Sequence, residues 1–353
     1  HADGSTGDAT VSTSGGVKDS GLDVHQSYMT YMHSDRLAFT FGRYEMNYGD
    51  HYVLGGVPWH MVGRAFDGMK VNYKWSKGGV DFFYNKIEER DLGTAITGVT
   101  HDDQDFYGFY HSMAINDMIT AFDLYYLVNS DRTTQSQPGP DLNMTTTGFR
   151  VKGGKGPVDG TFEWNTQGGE ANSGATKTDV EDADSLRLDV GFTFGGTRVG
   201  LEYAAANRDY NQLYPTGHKW LGFGDWFSRQ NMTTQVLHVS HKFMEHMSLG
   251  LDYHMFARTE TGADKNGAYD GIYNFSGAAI GTASATNNQD AVGTELDLVL
   301  TCNKMKALTW QFGYSMFTAG EYLKNQNINR VGGAASGAEM DYNFAYLQAT
   351  AKF

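Results

Sequence analysis

Apolar and polar residues alternate along this chain with a period of two, and the pattern recurs many times. In SLRLDVGFTF at 185–194, Leu186, Leu188, Val190, Phe192 and Phe194 share one face, while Arg187, Asp189, Gly191 and Thr193 share the other. After Gly195-Gly196, TRVGLEYAAA sets Val199, Leu201 and Tyr203 against Arg198, Gly200, Glu202 and Ala204. In TELDLVLTC at 294–302, Leu296, Leu298, Leu300 and Cys302 oppose Glu295, Asp297 and Thr301. In LTWQFGYSM at 308–316, Leu308, Trp310, Phe312 and Tyr314 oppose Thr309, Gln311, Gly313 and Ser315. Further strands are expected near 23–34, 36–46, 64–75, 79–88, 105–114, 117–128, 143–153, 158–167, 232–243, 246–258 and 340–353. The pattern therefore predicts about 15 strands of roughly 9–13 residues, the length a tilted strand needs to cross a bilayer.

The connectors alternate as well. Short ones are Ser34-Asp35, Ser76-Lys77-Gly78, Asn116-Asp117, Gly153-Gly154-Lys155-Gly156, Gly195-Gly196, Met244-Glu245 and Asn303-Lys304. Long ones are 47–63, 89–104, 129–142, 168–182, 208–231, 259–290 and 319–339. Short periplasmic turns and long extracellular loops are the habit of outer-membrane barrels. Aromatic residues near strand ends, such as Tyr125, Tyr126, Trp164, Tyr253 and Tyr342, suit interfacial girdles. The expected fold is all-β, a single closed antiparallel transmembrane β-barrel over 23–353. Its apolar face meets lipid and its ionic face encloses water. Closure follows from the membrane, because an open edge in lipid leaves backbone groups unpaired at a cost of several kcal/mol each.

Composition sharpens this reading. The 353 residues hold 44 Gly, 5 Pro and a formal charge of -14, which argues against nucleic acid as a partner. No run of about 18 apolar residues is present, so membrane helices are not expected. Cys302 is the single cysteine, which excludes an intramolecular disulfide. Residues 1–22 are polar and Gly/Ser-rich and read as an extracellular loop or an N-terminal remnant. With the last strand ending on the short-turn side, the count is odd, whereas bacterial barrels normally have an even number. The expectation is that the gene product continues upstream, with about 16 to 18 strands in all.

Three patterns resemble the alginate-export family of outer-membrane proteins. They are FGRYEMNYGDHYVLGGVPW with GRAFDGMKV (41–71), DYNQLYPTGHKWLGFGDWFSRQNM (209–232), and the terminal FAYLQATAKF with Phe353 last. The resemblance implies a monomeric barrel of about 18 strands and a porin-like function. The family name implies polysaccharide export.

If the apolar face meets lipid, parity places Arg150, Arg187, Arg198, Lys242 and Arg258 in the lumen, together with Asp123, Glu163, Asp189, Glu202, Asp252, Glu295 and Asp297. Charged rings set selectivity in pores. A polyanion exporter should carry a dominant Lys/Arg ladder, yet here acids are slightly ahead, so a weak cation preference is expected. The two motif segments are long loops able to fold over a pore mouth. Arg43, Arg64, Asp67, Tyr214, His218, Asp225 and Arg229 are the candidates for a constriction or for ion pairs that tie loops together.

Other chemistry is thin. The histidines show no zinc spacing, and His238 and His241 fall on opposite faces of a strand. Acidic clusters at His101–Asp105 and Glu181–Asp184 offer oxygen ligands for Ca²⁺, although neither matches an EF-hand loop, and no other cofactor is expected. The expected function is passive passage of small hydrophilic solutes or of oligo- and polysaccharide, with outer-membrane lipid and lipopolysaccharide as surroundings. One rival is a non-conducting barrel that anchors a partner protein. Another is a barrel hydrolase, for which Ser240 near His238 and His241 is the one loose candidate.

Overall fold

The computed structural model describes residues 24–351 apart from 60–62, 89–102, 132–141, 174–175, 181–182, 265–266, 276, 282, 306 and 326–340. The expected N-terminal loop, the ends of both acidic clusters and Phe353 lie outside the described residues.

The long strands are β1 (Ser27–Met32), β2 (Leu37–Tyr44), β3 (Phe66–Trp75), β4 (Gly78–Glu88), β5 (Gln104–Met113), β6 (Ile119–Asp131), β7 (Leu142–Lys155) and β8 (Val158–Ser173). After the short β9 (Thr176–Asp179) come β10 (Asp184–Phe194), β11 (Thr197–Ala206), β12 (Met232–Met244) and β13 (Met247–Arg258). The chain ends with β14 (Ile272–Tyr273), β15 (Ala279–Ile280), β16 (Ala291–Met305), β17 (Leu308–Ala319), the helical turn α1 (Glu321–Lys324) and β18 (Tyr342–Ala351). In the sheet each long strand neighbours the next in chain order, β9 pairs with β8 off this path, and β14 with β15 forms a separate hairpin. The order is the meander that the alternating short and long connectors predict.

Two expected boundaries move. The long connector 168–182 is largely strand: β8 continues to Ser173, and Glu170 pairs with Asp179 and Asn172 with Lys177. Apart from Ala171 this ladder is polar, so no apolar alternation marks it. Likewise β7 runs to Lys155 and β16 to Met305, which shifts both short turns toward the C-terminus.

The chain divides into two compact units. The first is His1–Val151 with Asn165–Glu181 and Gln212–Thr216; the second is Lys152–Trp164 with Asp182–Asn211 and Gly217–Phe353. In both, the burial pattern is the reverse of a water-soluble sheet. Leu201 is 66% exposed, while its neighbour Glu202 is 6% exposed and Arg187 4%. Leu188, Val190, Phe192 and Phe194 are exposed on the same side as Leu201. In the first unit Phe82, Tyr84, Tyr107 and Tyr126 are exposed, whereas Asn85, Asp123, Thr146 and Arg150 are buried. Solvated apolar rows of this extent suit hydrocarbon, not water.

Buried apolar clusters are small and lie beneath long connectors. In the first unit Tyr214 meets the rings of Phe66 and Phe106 edge-on, at centroid distances of 5.4 and 4.9 Å. In the second, Phe227 packs against Phe256 and Phe317 at 5.5 and 5.6 Å.

Candidate pore face and its docked loops

The first unit builds its polar face around Arg150. Its Nη2 lies 2.7 Å from Asp123 Oδ2, and its Nη1 lies 3.4 Å from Asp50 Oδ1. Asp50 comes from the long connector 45–65, so this connector reaches down onto the wall. Tyr110 also donates to Asp123 at 2.8 Å. Next to Asp50, Tyr48 stacks on Tyr110 at 4.6 Å and donates its hydroxyl to Asp81 at 2.7 Å. Burial, and then the Asp81 carboxylate, hold the Tyr48 phenol well above its usual value, so it stays a neutral donor. Between them Gly49 has φ +56, and a Cβ there would lie 2.9 Å from Arg150 Nε. Only glycine allows both the conformation and the approach. Asn72 and Lys70 complete the shell of Asp81, the lysine at 3.5 Å. A recess of about 280 Å³ under Tyr48 is lined by Asn72, Lys74, Asp81, Tyr110 and Ser112.

This loop is anchored to residues 212–216 by a parallel bridge between Leu54 and Tyr214. Gly55 N donates to Tyr214 O at 2.8 Å and Thr216 N to His51 O at 3.0 Å. Arg64 clamps the pair, donating to Pro215 O at 2.8 Å and Gly55 O at 3.1 Å, with its guanidinium over the Tyr214 ring. Arg43 and Asp67 are not loop residues. They face each other at the ends of β2 and β3 and form a two-pronged pair at 2.8 Å, with the parity of exposed Phe41 and Met69.

In the second unit Arg187 Nη2 lies 2.8 Å from Glu202 Oε2, and Trp220 covers the guanidinium at 4.3 Å. Arg198 bonds Asp159 through Nε at 3.0 Å and reaches Asp189 at 3.1 Å. Further round the sheet the basic partners change. His238 pairs with Asp252 at 2.6 Å and His254 with Asp297 at 3.4 Å. Glu295 accepts from Ser315 at 2.8 Å and from Tyr342 at 2.6 Å. Among the described residues, Asp252, Glu295 and Asp297 have no Lys or Arg partner. His241 is exposed on the other face, against Thr197, as strand parity requires.

A long connector also docks here. Gly224 N donates to Glu295 at 3.0 Å and Phe223 N to Asp297 at 3.3 Å. Gly222 has φ +79, and a Cβ there would lie 2.5 Å from Glu295 Cδ. His218 stacks on Phe223 at 4.4 Å and lies 3.2 Å from Asp225, while Arg229 is buried.

Arg150, Asp123, Arg187, Arg198, Asp189, Glu202, Asp252, Glu295 and Asp297 thus fall in paired or clustered positions on the polar face, and Glu163 is buried there. Lys242 is exposed at the turn end of β12. Arg258 binds loop backbone instead, donating to Asp270 O at 2.6 Å beneath the Tyr322 ring. Asp103 and Asp105, from the first acidic cluster, both hold Lys86, at 2.7 and 2.8 Å. Among the described residues no group of three or more His, Cys, Asp or Glu is placed to hold a metal ion. Parity would have found Asp81 and Asp159, which extend the Asp123 and Glu163 logic. Asp50, Phe223 and Gly224 have no local signal, since their partners lie far along the chain.

The sequence profile described as "Alginate export" matches residues 3–335. The chain belongs to the alginate-export family. Solved structures agree with this family in fold. OccAB4 of Acinetobacter baumannii is 11% identical at a TM-score of 0.57, covering 90% of this chain and 72% of that one. OccD3 (OpdP) of Pseudomonas aeruginosa is 12% identical at 0.56, covering 93% and 77%. OccK8 (OprE) of the same organism is 13% identical at 0.51, covering 81% and 74%. A search of curated proteins finds no match. This member of the alginate-export family is an integral β-barrel of the bacterial outer membrane, of the channel type.

Proposed function

We propose that this barrel passes small hydrophilic solutes, neutral or cationic in preference to polyanions, along a water-filled path restricted by its docked loops. The observation that carries the reading is the acidic stretch of Asp252, Glu295 and Asp297, whose ionic partners among the described residues are the histidines His238 and His254. Asp81, Asp123, Asp159, Asp189 and Glu202 on the polar face are each met by Arg or Lys, so this stretch weighs most on the sign of the local field. A polyuronate would meet repulsion there. The recess at Tyr48 sets Tyr48 and Tyr110 beside Asn72, Ser112, Lys74 and Asp81, aromatic and polar groups that sugar-like solutes can use. Supporting passage rather than anchoring, the polar face is built of ionic groups, which an enclosed apolar partner would leave without solvent.

Planar-bilayer recordings of the purified protein in a salt gradient test this. The expected result is defined single-channel steps with a reversal potential of cationic sign. Strong anion preference overturns the solute assignment, and absence of conductance favours the anchoring barrel.

A further inference from the structure

Two glycines stand side by side on the polar face where the strand pattern gives no reason for them. Gly191 in β10 and Gly200 in β11 are register partners. Neither has a positive φ, so the backbone conformation does not call for glycine at either position. Glycine inside a strand forgoes side-chain packing, and it often marks the close approach of another group. Here that group is Arg198. A Cβ on Gly191 would overlap Nη2, Cζ and Nε of its guanidinium, and a Cβ on Gly200 would lie 2.6 Å from Nη1. The planar head therefore lies along the wall, in the hollow that the two missing side chains leave. From there Nε reaches Asp159 at 3.0 Å and Nη2 reaches Asp189 at 3.1 Å.

This posture decides what a passing solute meets. A guanidinium is always charged, and one that stood out from the wall would attract anions. Lying flat, Arg198 directs its edge at two carboxylates instead. The register row continues from Gly200 to His238 and then Asp252, where the acidic stretch begins. A raised Arg198 would bring positive charge beside that stretch. We propose that Gly191 and Gly200 are positioning residues for Arg198, and that Arg198 is a specificity-determining residue by being held down. Its stowed charge leaves the acidic stretch to set the cation preference. The inference rests on the channel reading above and adds the residues that preserve its sign.

Reversal potentials in a KCl gradient test this, on planar bilayers holding the wild type, Gly191→Ala, Arg198→Gln or the double variant. Gly191→Ala should lower the cation-to-anion permeability ratio by about twofold or more. Arg198→Gln should not lower it. Adding Gly191→Ala to Arg198→Gln should leave the ratio unchanged, because no guanidinium remains to be lifted. Phenylglyoxal, which labels accessible arginines, gives a second readout by peptide mass spectrometry: Arg198 should react faster in Gly191→Ala than in the wild type. Heat-dependent gel mobility verifies that each variant is folded. A ratio or a labelling rate unchanged by Gly191→Ala, or a shift in ratio that persists without Arg198, overturns the inference while the channel reading stands. A wild type that does not conduct overturns the channel reading, and this inference with it.

Discussion

Two long connectors dock on the polar face, and they do so by opposite chemistry. The 45–65 loop uses side chains: Asp50 to Arg150 and Tyr48 to Asp81. The 217–231 segment uses its backbone: the amides of Phe223 and Gly224 on Asp297 and Glu295. The first arrangement balances its charges, because Arg150 stands between two aspartates and Asp81 has Lys70. The second sets backbone amides, and no basic side chain, against Glu295 and Asp297. Both loops need a glycine for the approach, Gly49 beside Arg150 and Gly222 beside Glu295, but they differ in whether side chains or amides meet the wall.

That contrast can be broken from either side. The largest effect is expected at Gly222→Val, where a β-branched residue would need φ +79 and space already taken by Glu295. The segment should leave the wall, and single-channel conductance should rise by about twofold or more as the restriction opens. Arg150→Ala should instead act on stability. It leaves Asp123, 0% exposed, without its counter-charge, which costs about 3–5 kcal/mol. Urea unfolding of the reconstituted barrel measures this. Combining Glu295→Gln with Asp297→Asn should keep most docking bonds while removing two charges, and the reversal potential should move toward zero. If it does not move, selectivity resides elsewhere. Tyr48→Phe should be the mildest, removing one hydroxyl from Asp81 at about 1 kcal/mol with conductance little changed.

The strand faces were legible in the sequence because lipid imposes them. Leu186 through Phe194 and Leu296 through Leu300 must alternate if one side meets hydrocarbon, and the lumen pairs Arg187–Glu202 and Arg198–Asp189 follow from parity and adjacency. Where hydrocarbon imposes no pattern, the signal fades: the β8–β9 ladder is polar but for Ala171 and reads as loop. The motif segments were visible as loops, but not what they touch. Asp50 and Arg150 are a hundred positions apart in number, and nothing local links Phe223 to Asp297. Arg43 and Asp67 fall within the expected strands 36–46 and 64–75 but were assigned to a loop constriction through the motif they belong to. Their register across β2 and β3 makes them a rim pair instead. Arg258 followed lumen parity but sits where β13 ends, so its guanidinium turns to the backbone of the connector after it.

The central claim is that adjacent residues on one strand see different solvents. Gln311 and Phe312 in β17 offer the cleanest pair: Phe312 is 50% exposed on the apolar side, and Gln311 on the other side donates to Thr301 at 3.3 Å. Nitroxide labels at Gln311→Cys and Phe312→Cys, on a Cys302→Ser background in reconstituted membranes, can be read by their relaxation with oxygen and with a water-soluble nickel chelate. The label at 312 should respond to oxygen and be shielded from nickel, and the label at 311 should respond to nickel. Nickel access at 312, or equal responses at both positions, would contradict the account.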